Sequence, residues 1–246
     1  MQCLILAGGL GTRMRHHDPN RPKALIEVAG RPFADWQLAW LADQGVTHVV
    51  YSIGYLGEQL ATHVGDGARW GLSVAYVDEG RHLLGTAGAL RRAIEVGAAD
   101  DDFFVLYGDS YLSVDLGVVE AAYRRSGQPA LMTVYRNEGR FDASNAVFAD
   151  GLVVRYEKGV ADAPPEMCWI DYGLSVLSAA VVIDRVPPGA RADLADLYGG
   201  LSGDGLLAGL AVDDRFFEVG SPGGRRDLEA HLTQGGAVRR APGPVQ

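Results

Sequence analysis

The 246-residue sequence is poor in cysteine and in long apolar runs, and both shortages exclude classes of protein. Its two cysteines, Cys3 and Cys168, cannot build a disulfide framework or a cysteine metal site, so we expect them to fill core positions in a reducing compartment. No apolar stretch approaches the ~20 residues that a membrane span needs, and the N-terminus shows no signal segment. The sequence therefore predicts a cytoplasmic protein that does not associate with a membrane.

Positive charge is also scarce. Lys and Arg number 22 against 31 Asp and Glu, which gives a formal net charge of −9, and no basic run is longer than two residues. Proteins bind a nucleic-acid backbone through a basic face, so nucleic acid is not an expected partner. A composition of 48% hydrophobic residues with 33 glycines suits one α/β domain with many tight turns.

The first half of the chain alternates between short apolar strands and helices, which predicts an α/β fold with a mostly parallel sheet. Predicted strands cover residues 3–6, 47–53, 72–77 and 103–106, and predicted helices cover 33–43, 55–64, 87–94 and 115–125. Later strands are predicted at 130–135, 146–148, 152–156, 170–177, 211–212 and 216–218, with helices at 193–201 and 224–233. We expect one domain over 1–235 and a flexible tail over 236–246.

The most informative segment is LAGGLGTRM at 6–14, which follows a short apolar strand and is followed by Lys23. Its glycines permit positive φ and let backbone N–H groups converge on phosphate oxygens, while Arg13 and Lys23 add positive charge. The segment lacks the helix that follows a Rossmann fingerprint and the lysine that follows the last glycine of a Walker loop. The glycines alone are equally consistent with a tight turn, but the glycines and both cations together favour a polyphosphate site.

The string GGLGTR at 8–13, with Pro22-Lys23, resembles the signature of the sugar-1-phosphate nucleotidyltransferases, and the resemblance extends to about residue 232. It implies a three-layer, Rossmann-like nucleotide-diphospho-sugar transferase fold with a mixed, mostly parallel sheet. It also implies transfer of a nucleotidyl group from a nucleoside triphosphate to a sugar 1-phosphate, with Arg13 and Lys23 as catalytic residues. The implied nucleotide-binding residues are Leu6, Ala7, Gly8, Gly9, Gly11, Thr12, Gly85, Thr86, Gly88 and Gly108.

Two carboxylates are candidates for a Mg²⁺ site. Asp109 follows the apolar strand FFVLY, so it is expected at the sheet edge where ligands bind, although a turn aspartate would look the same. The resemblance implies that Asp109 is a metal ligand. It implies the same for Glu218 in FEVGSP, where the family usually has aspartate; without the resemblance, Glu218 could be a solvated glutamate at a strand end.

The segment LGTAGAL at 84–90 enters a predicted helix, and Thr86 has the chemistry of an N-cap. A cap would explain the threonine completely. The resemblance implies in addition that Gly85, Thr86 and Gly88 lie beside the nucleobase. This form of the loop, without a glutamine shortly upstream, is more similar to guanylyl- and adenylyl-transferring members than to thymidylyl-transferring ones.

The resemblance also implies a sugar-phosphate site. Its residues would be Asn145, Glu157, Lys158, Asp171, Tyr172 and Gly173. Glu157 and Lys158 would contact the sugar hydroxyls and the 1-phosphate, although an exposed Glu-Lys pair is ordinary surface. Tyr172 replaces a small residue, which predicts a reshaped sugar pocket, and Asn145 is also explained by an Asx-turn.

Several segments, such as GRPF at 30–33 and VGDG at 64–67, are most similar to the branch that activates D-glycero-D-manno-heptose 1-phosphate with GTP. Heptose or mannose 1-phosphate with GTP is therefore the expected substrate pair. Thymidylyl or uridylyl transfer to glucose 1-phosphate, transfer to another phosphate such as phosphocholine, and a catalytically silent sensing subunit remain alternatives. The sequence does not indicate an oligomeric state.

Overall fold

The computed structural model describes residues 1–9, 20–80, 83–160 and 163–234. The strands are β1 (Gln2–Leu6), β2 (Glu27–Val28), β3 (Arg31–Pro32), β4 (His48–Ile53), β5 (Ser73–Asp78), β6 (Asp102–Tyr107), β7 (Ser110–Tyr111), β8 (Ala130–Arg136), β9 (Ala146–Ala149), β10 (Leu152–Tyr156), β11 (Trp169–Ser178), β12 (Leu207–Val212) and β13 (Phe217–Glu218). The α-helices are α1 (Phe33–Asp43), α2 (Gly57–Val64), α3 (Gly85–Glu95), α4 (Leu116–Ser126), α5 (Ala179–Arg185), α6 (Leu194–Gly203) and α7 (Pro222–Gln234). Short 3₁₀ turns cover Lys23–Leu25 and Ala68–Trp70.

Nine strands form one mixed sheet in the order β5-β4-β1-β6-β11-β8-β12-β10-β9. Strands β5, β4, β1 and β6 pair in parallel, and β11 lies antiparallel between β6 and β8. The expected α/β fold with a mixed sheet is confirmed. Because β5, β4, β1 and β6 run in the same direction, their carboxyl ends meet at one edge of the sheet. This edge is where open α/β sheets bind ligands.

Apolar side chains on the two faces of the sheet build two cores, because successive residues of a strand point to opposite faces. In β1, Cys3 and Ile5 join a core with Leu38 of α1, whereas Leu4 joins a core with Leu90 of α3. Both cysteines are free, and Cys3 is buried as expected.

Helix α1 also anchors the chain that precedes it. The helix begins after Pro32, where the fixed φ of proline suits a helix start, and the Phe33 N–H donates to the Ile26 carbonyl. Trp36 donates its indole N–H to the Val28 carbonyl at 2.9 Å. The segment that carries Lys23 is therefore tied to the first turn of α1.

Helix α5 was not predicted. Its sequence, AAVVIDR, contains a run of β-branched residues, which is typical of a strand. The Ser178 side chain caps the helix by accepting a hydrogen bond from Val181 N, and Val182 is buried in the core beside α3. The cap and the core contacts stabilise α5 by more than its β-branched residues lose in intrinsic helix propensity.

Strand β12 is longer than the two residues predicted for it. It begins at Leu207 and pairs in parallel with β8, and Gly209 lies in its middle. A Cβ on Gly209 would lie 2.5 Å from the Phe148 ring, so the glycine makes room for that ring.

Within the described ranges, no helix combines the length and the apolar character that a membrane span requires.

Leu38 offers a test of the packing of α1. We expect Leu38→Ala to lower the free energy of unfolding by about 2–5 kcal/mol, because its side chain is completely buried in the core. The matched control is Val118→Ala in α4, where the side chain is 52% exposed and the change should stay within about 0.5 kcal/mol. Urea unfolding of both variants measures the difference, and equal losses would contradict this packing.

Candidate functional site

A cavity of about 390 Å³ opens at the carboxyl edge of the parallel strands. It brings together nine of the residues predicted from the sequence: Leu6, Ala7, Gly8, Gly9, Lys23, Gly85, Thr86, Gly108 and Asp109. Gly11, Thr12 and Arg13 lie outside the described residues. The segments 6–9, 85–86 and 108–109, which are distant in the sequence, therefore face one space.

Gly108 allows the ends of β1 and β6 to approach each other. Its N–H donates to the Leu6 carbonyl at 3.0 Å, and a Cβ at this position would lie 2.7 Å from the same oxygen. Any larger residue would push the two strand ends apart. The glycine thus sets the distance between the glycine-rich loop and Asp109.

Lys23 and Asp109 form an ion pair in the wall of the cavity. Lys23 Nζ lies 3.2 Å from Asp109 Oδ2, and about a quarter of each side chain is exposed. The 3₁₀ turn after Pro22 presents the lysine, and the end of β6 presents the aspartate. Both groups are therefore held in place yet remain accessible to a ligand.

Glu218 reaches the same point from the other end of the chain. Strand β13 pairs with β7 so that Glu218 lies opposite Ser110, and Val219 N donates to the Asp109 carbonyl. Glu218 Oε2, Asp109 Oδ2 and Lys23 Nζ lie 2.6, 3.2 and 3.3 Å from the position that a Cβ would take on Gly220. The structure thus brings together the two predicted metal ligands and the predicted catalytic lysine.

These carboxylates fit a magnesium ion that they would share with the phosphates of a substrate. Mg²⁺ keeps several waters and binds through one or two carboxylates together with substrate phosphates. No cluster of three or more His, Cys, Asp or Glu side chains that could hold a metal occurs in the described part of the chain. Ser221 donates to Glu218 Oε1 at 2.5 Å, which orients Glu218 and leaves Oε2 toward Asp109.

Another part of the cavity wall is built where α3 and α6 begin. Helix α3 starts at Gly85, and its N-cap residue Leu84 makes no side-chain cap, so the predicted capping role of Thr86 in its own helix is wrong. Thr86 Oγ1 instead accepts a hydrogen bond from Leu194 N at 2.7 Å, and Asp193 Oδ1 accepts one from Thr86 N at 3.3 Å. Each of these residues satisfies an orphan N–H of the other helix, so the two helix starts cap each other.

Gly88 faces away from the cavity. A Cβ on Gly88 would lie 2.7 Å from the Ala190 carbonyl, and the Gly88 N–H donates to the Ala192 carbonyl at 3.1 Å. This glycine allows α3 to pack closely against the loop before α6. That loop supplies Arg191, a cation of the cavity wall that was not predicted.

Glu79 is a cavity residue that sequence reasoning missed. It follows β5, and its carboxylate accepts hydrogen bonds from Leu84 N at 2.9 Å and from Ser52 Oγ at 3.2 Å. Burial raises the pKa of the Glu79 carboxyl, although both hydrogen bonds act in the opposite direction. A carboxylate directly after a parallel strand was the signal that identified Asp109, and the same signal was present here.

The sugar-side candidates gather around Asp171. Tyr107, which lines the cavity, donates its hydroxyl to Asp171 Oδ2 at 3.2 Å, and Gly173 N donates to Oδ1 at 2.9 Å. Burial raises the pKa of Asp171, whereas these hydrogen bonds and the charge of Lys158 favour its ionised form. Asn145 accepts a hydrogen bond from Asp171 N at 2.9 Å, so its side chain joins two segments and does not form the expected Asx-turn.

The remaining sugar-side candidates differ in exposure. Glu157 is exposed and pairs with Arg155 at 2.7 Å, and Lys158 is exposed close to Asp171. Tyr172 is only 1% exposed, and its hydroxyl accepts a hydrogen bond from Ser113 N. The prediction that the Tyr172 ring reshapes the sugar pocket is therefore wrong, because alternation along β11 turns the ring into the core.

Comparison with known proteins agrees with this geometry. A family model described as "MobA-like NTP transferase domain" matches residues 3–211. The chain is 29% identical over 242 residues to the N-acetylmuramate alpha-1-phosphate uridylyltransferase of Caulobacter vibrioides, which covers 94% of this chain and 97% of that protein. It is 28% identical over 234 residues to the UTP–glucose-1-phosphate uridylyltransferase of Synechocystis sp., which covers 89% of this chain and 60% of that protein.

The chain spans between 44% and 60% of the length of the first three curated relatives that it matches. Further relatives are named as thymidylyltransferases and guanylyltransferases. A crystal structure of a putative glucose-1-phosphate thymidylyltransferase from Bacillus anthracis shares the fold, with a TM-score of 0.82, 20% identity and coverage of 95% of this chain and 96% of that one. Together these findings confirm the resemblance carried by the glycine-rich loop.

Two adjacent glycines test the contact between the glycine-rich loop and Glu79. A Cβ on Gly8 would lie 2.3 Å from Glu79 Oε1, whereas a Cβ on Gly9 would meet nothing within 4 Å. We expect Gly8→Ala to weaken nucleotide binding by about 10–100-fold, because either the loop or the hydrogen-bonded Glu79 carboxylate must shift, and we expect Gly9→Ala to bind nearly as the wild type does. Isothermal titration with nucleoside triphosphates measures both, and equal affinities would contradict this placement of Glu79.

Proposed function

The chain belongs to the MobA-like NTP transferase family, and on this basis we propose that it transfers a nucleotidyl group from a nucleoside triphosphate to a sugar 1-phosphate. The observation that carries the proposal is the meeting of Lys23, Asp109 and Glu218 around one point beside the glycine-rich loop. One cation and two potential metal ligands at the end of a nucleotide-sized cavity are suited to the phosphates of a triphosphate.

In the proposed reaction, an oxygen of the sugar 1-phosphate attacks the α-phosphorus of the triphosphate. A new bond forms between this oxygen and phosphorus, the bond to the bridging oxygen of the β-phosphate breaks, and pyrophosphate leaves. The attacking phosphate is already an anion, so no general base is required. The protein must bring two anions together and stabilise the charge that develops on the α-phosphate.

Each residue of the site would contact a different part of the two substrates. Lys23 would contact the α-phosphate, and backbone N–H groups of the glycine-rich loop, with Arg13, would hold the rest of the triphosphate. Lys158 would bind the acceptor phosphate, with Asp171 and Glu157 accepting hydrogen bonds from sugar hydroxyls. Gly85 and Thr86, which line the same cavity, would border the base.

Asp109 and Glu218 would hold Mg²⁺. When bound, the ion would neutralise charge on the triphosphate oxygens. The glutamate at 218 has one more methylene than the usual aspartate, and Ser221 fixes one of its oxygens. The fit of Glu218 therefore depends on the hydrogen bond that orients it.

For the substrates, we propose GTP with a heptose or mannose 1-phosphate, because the sequence segments at 30–33 and 64–67 favour that branch. A second pair, UTP with N-acetylmuramate 1-phosphate, is favoured by a specific observation. The Caulobacter relative with that name aligns with the chain over nearly the full length of both proteins.

The fold and the presence of catalysis are part of the same proposal. Two cores on opposite faces of the sheet support a three-layer arrangement. A silent sensing subunit would need ligand contacts but no catalytic lysine, and the Lys23–Asp109 pair argues against that alternative.

Pyrophosphate release tests the proposal. The assay combines Mg²⁺ and each of GTP, UTP, ATP, CTP and dTTP with mannose, heptose, glucose and N-acetylmuramate 1-phosphates. We expect turnover with one preferred pair, because different residues would contact the base and the sugar. Absence of turnover with every pair, while nucleotides still bind, would favour the sensing subunit or an acceptor outside this set.

Single substitutions test the catalytic roles. With the active pair, we expect Lys23→Ala and Asp109→Asn each to lower kcat by about 100–1,000-fold, since each removes charge from the reacting centre. The control is Arg185→Ala, which breaks an exposed ion pair with Asp204 and should leave kcat unchanged. Wild-type turnover by a folded Lys23→Ala or Asp109→Asn protein would refute the proposed role of that residue.

A further inference from the structure

A buried glutamine of α1 holds the loop that presents Asp109. Gln37 is completely buried, and its Nε2 donates hydrogen bonds to the Tyr107 carbonyl at 3.0 Å and to the Ser110 carbonyl at 2.9 Å. These two carbonyls lie on either side of Gly108-Asp109. Both N–H groups of one side chain therefore span the short segment that carries the aspartate.

We propose that Gln37 is a positioning residue that fixes the Asp109 carboxylate for metal binding. The inference rests on the proposed function of Asp109 as a metal ligand. Gln37 does not line the described cavity, so it acts through the backbone of residues 107–110. Mutation of groups that orient the ligands of a metal typically weakens its affinity by about 10–100-fold.

Glutamine has the chemistry that this position needs. Its amide nitrogen offers two donors from a single uncharged group, so it can bridge two carbonyls without adding charge beside a lysine and two carboxylates. Its Oε1 is buried and has no hydrogen-bond partner among the described residues. An unpaired buried oxygen costs stability. That cost argues for a role in holding the loop beyond the filling of space.

Helix α1 also holds the segment that carries Lys23, the ion-pair partner of Asp109. Trp36, next to Gln37, donates to the Val28 carbonyl, and the Phe33 N–H donates to the Ile26 carbonyl. These bonds hold the segment that continues from Lys23. Two neighbouring residues of α1 thus fix the two halves of the Lys23–Asp109 pair.

The position of Glu218 also depends on the two hydrogen bonds that Gln37 donates, which we call the Gln37 clamp. Ser110, whose carbonyl accepts from Gln37, pairs with Glu218 in the β7–β13 ladder, and the Asp109 carbonyl accepts from Val219 N. A loop released from Gln37 would therefore move both carboxylates relative to each other. We expect loss of the clamp to weaken metal binding more than sugar-phosphate binding.

The test compares two glutamine-to-methionine variants. Gln37→Met keeps the length of the side chain and removes both donors. The control is Gln2→Met, which removes a donor to the Ala98 carbonyl at 3.0 Å and an acceptor for Asp100 N at 2.9 Å, at the opposite end of β1. The dissociation constant for Mn²⁺ is measured on each protein from the EPR signal of the free ion, without nucleotide, and Asp109→Asn is measured alongside.

We expect Gln37→Met to weaken Mn²⁺ binding by about 10–100-fold and Gln2→Met to leave it unchanged. In the active enzyme, the Mg²⁺ concentration needed for half activity should rise in Gln37→Met, while KM for the sugar 1-phosphate stays constant. A merely structural role would lower the unfolding midpoint of both variants without moving either quantity.

The outcomes separate the two proposals. Wild-type Mn²⁺ affinity in Gln37→Met, with affinity lost in Asp109→Asn, would overturn the role of Gln37 alone. Wild-type affinity in Asp109→Asn would overturn the metal site and the Gln37 proposal with it. If Gln37→Met does not fold, Gln37→Glu replaces it, because a neutral carboxyl can donate to only one of the two carbonyls; unchanged affinity there would equally overturn the role of Gln37.

Discussion

The parallel pairing of β1 with β6 is the constraint on which the site depends. It places the glycine-rich loop and Asp109 at the carboxyl ends of neighbouring strands, and Gly108 lets those ends approach through its bond to the Leu6 carbonyl. Lys23 and Glu218 are both positioned beside this pair of strand ends. Lys23 arrives through the turn before α1, and Glu218 arrives through the β7–β13 ladder beside Asp109.

The site concentrates charge in a protein whose net charge is −9. The chain has only two lysines, Lys23 and Lys158, and each lies beside a carboxylate of the candidate site. Two half-buried carboxylates near the cavity, Glu79 and Asp171, each accept two hydrogen bonds that favour the ionised form, although burial raises the pKa of both. Local pairing of this kind suits an anionic small molecule, since both lysines lie where the proposed function places phosphates, whereas many arginines form ion pairs at the surface.

Much of the fold was predictable because its signals are local. The parallel strands are short apolar segments bounded by glycine or polar residues, and α1 was predicted with its observed bounds because Pro32 marks its start. The wrong predictions of secondary structure share a cause, because tertiary packing there outweighs the local propensity of the residues. The β-branched sequence of α5 became a helix over a buried face, and Gly209 interrupts a real strand because the Phe148 ring occupies the space beside it.

The sequence by itself determined the chemistry of the protein: a glycine-rich loop after a strand, a carboxylate after another strand and a lysine after a proline. Such features lie within a few residues of each other, so their pattern is visible in one dimension. Tertiary structure alone decided which residues share one space. The fold adds three residues to the cavity wall: Glu79, Arg191 and Asp193. It turns Gly88 and the Tyr172 ring away from the cavity. It also brings Gln37 to the loop of Asp109, where its bonding partner Ser110 is 73 positions away in the sequence. The physical reason is that these placements depend on strand pairing and helix packing between distant segments, which no local propensity encodes.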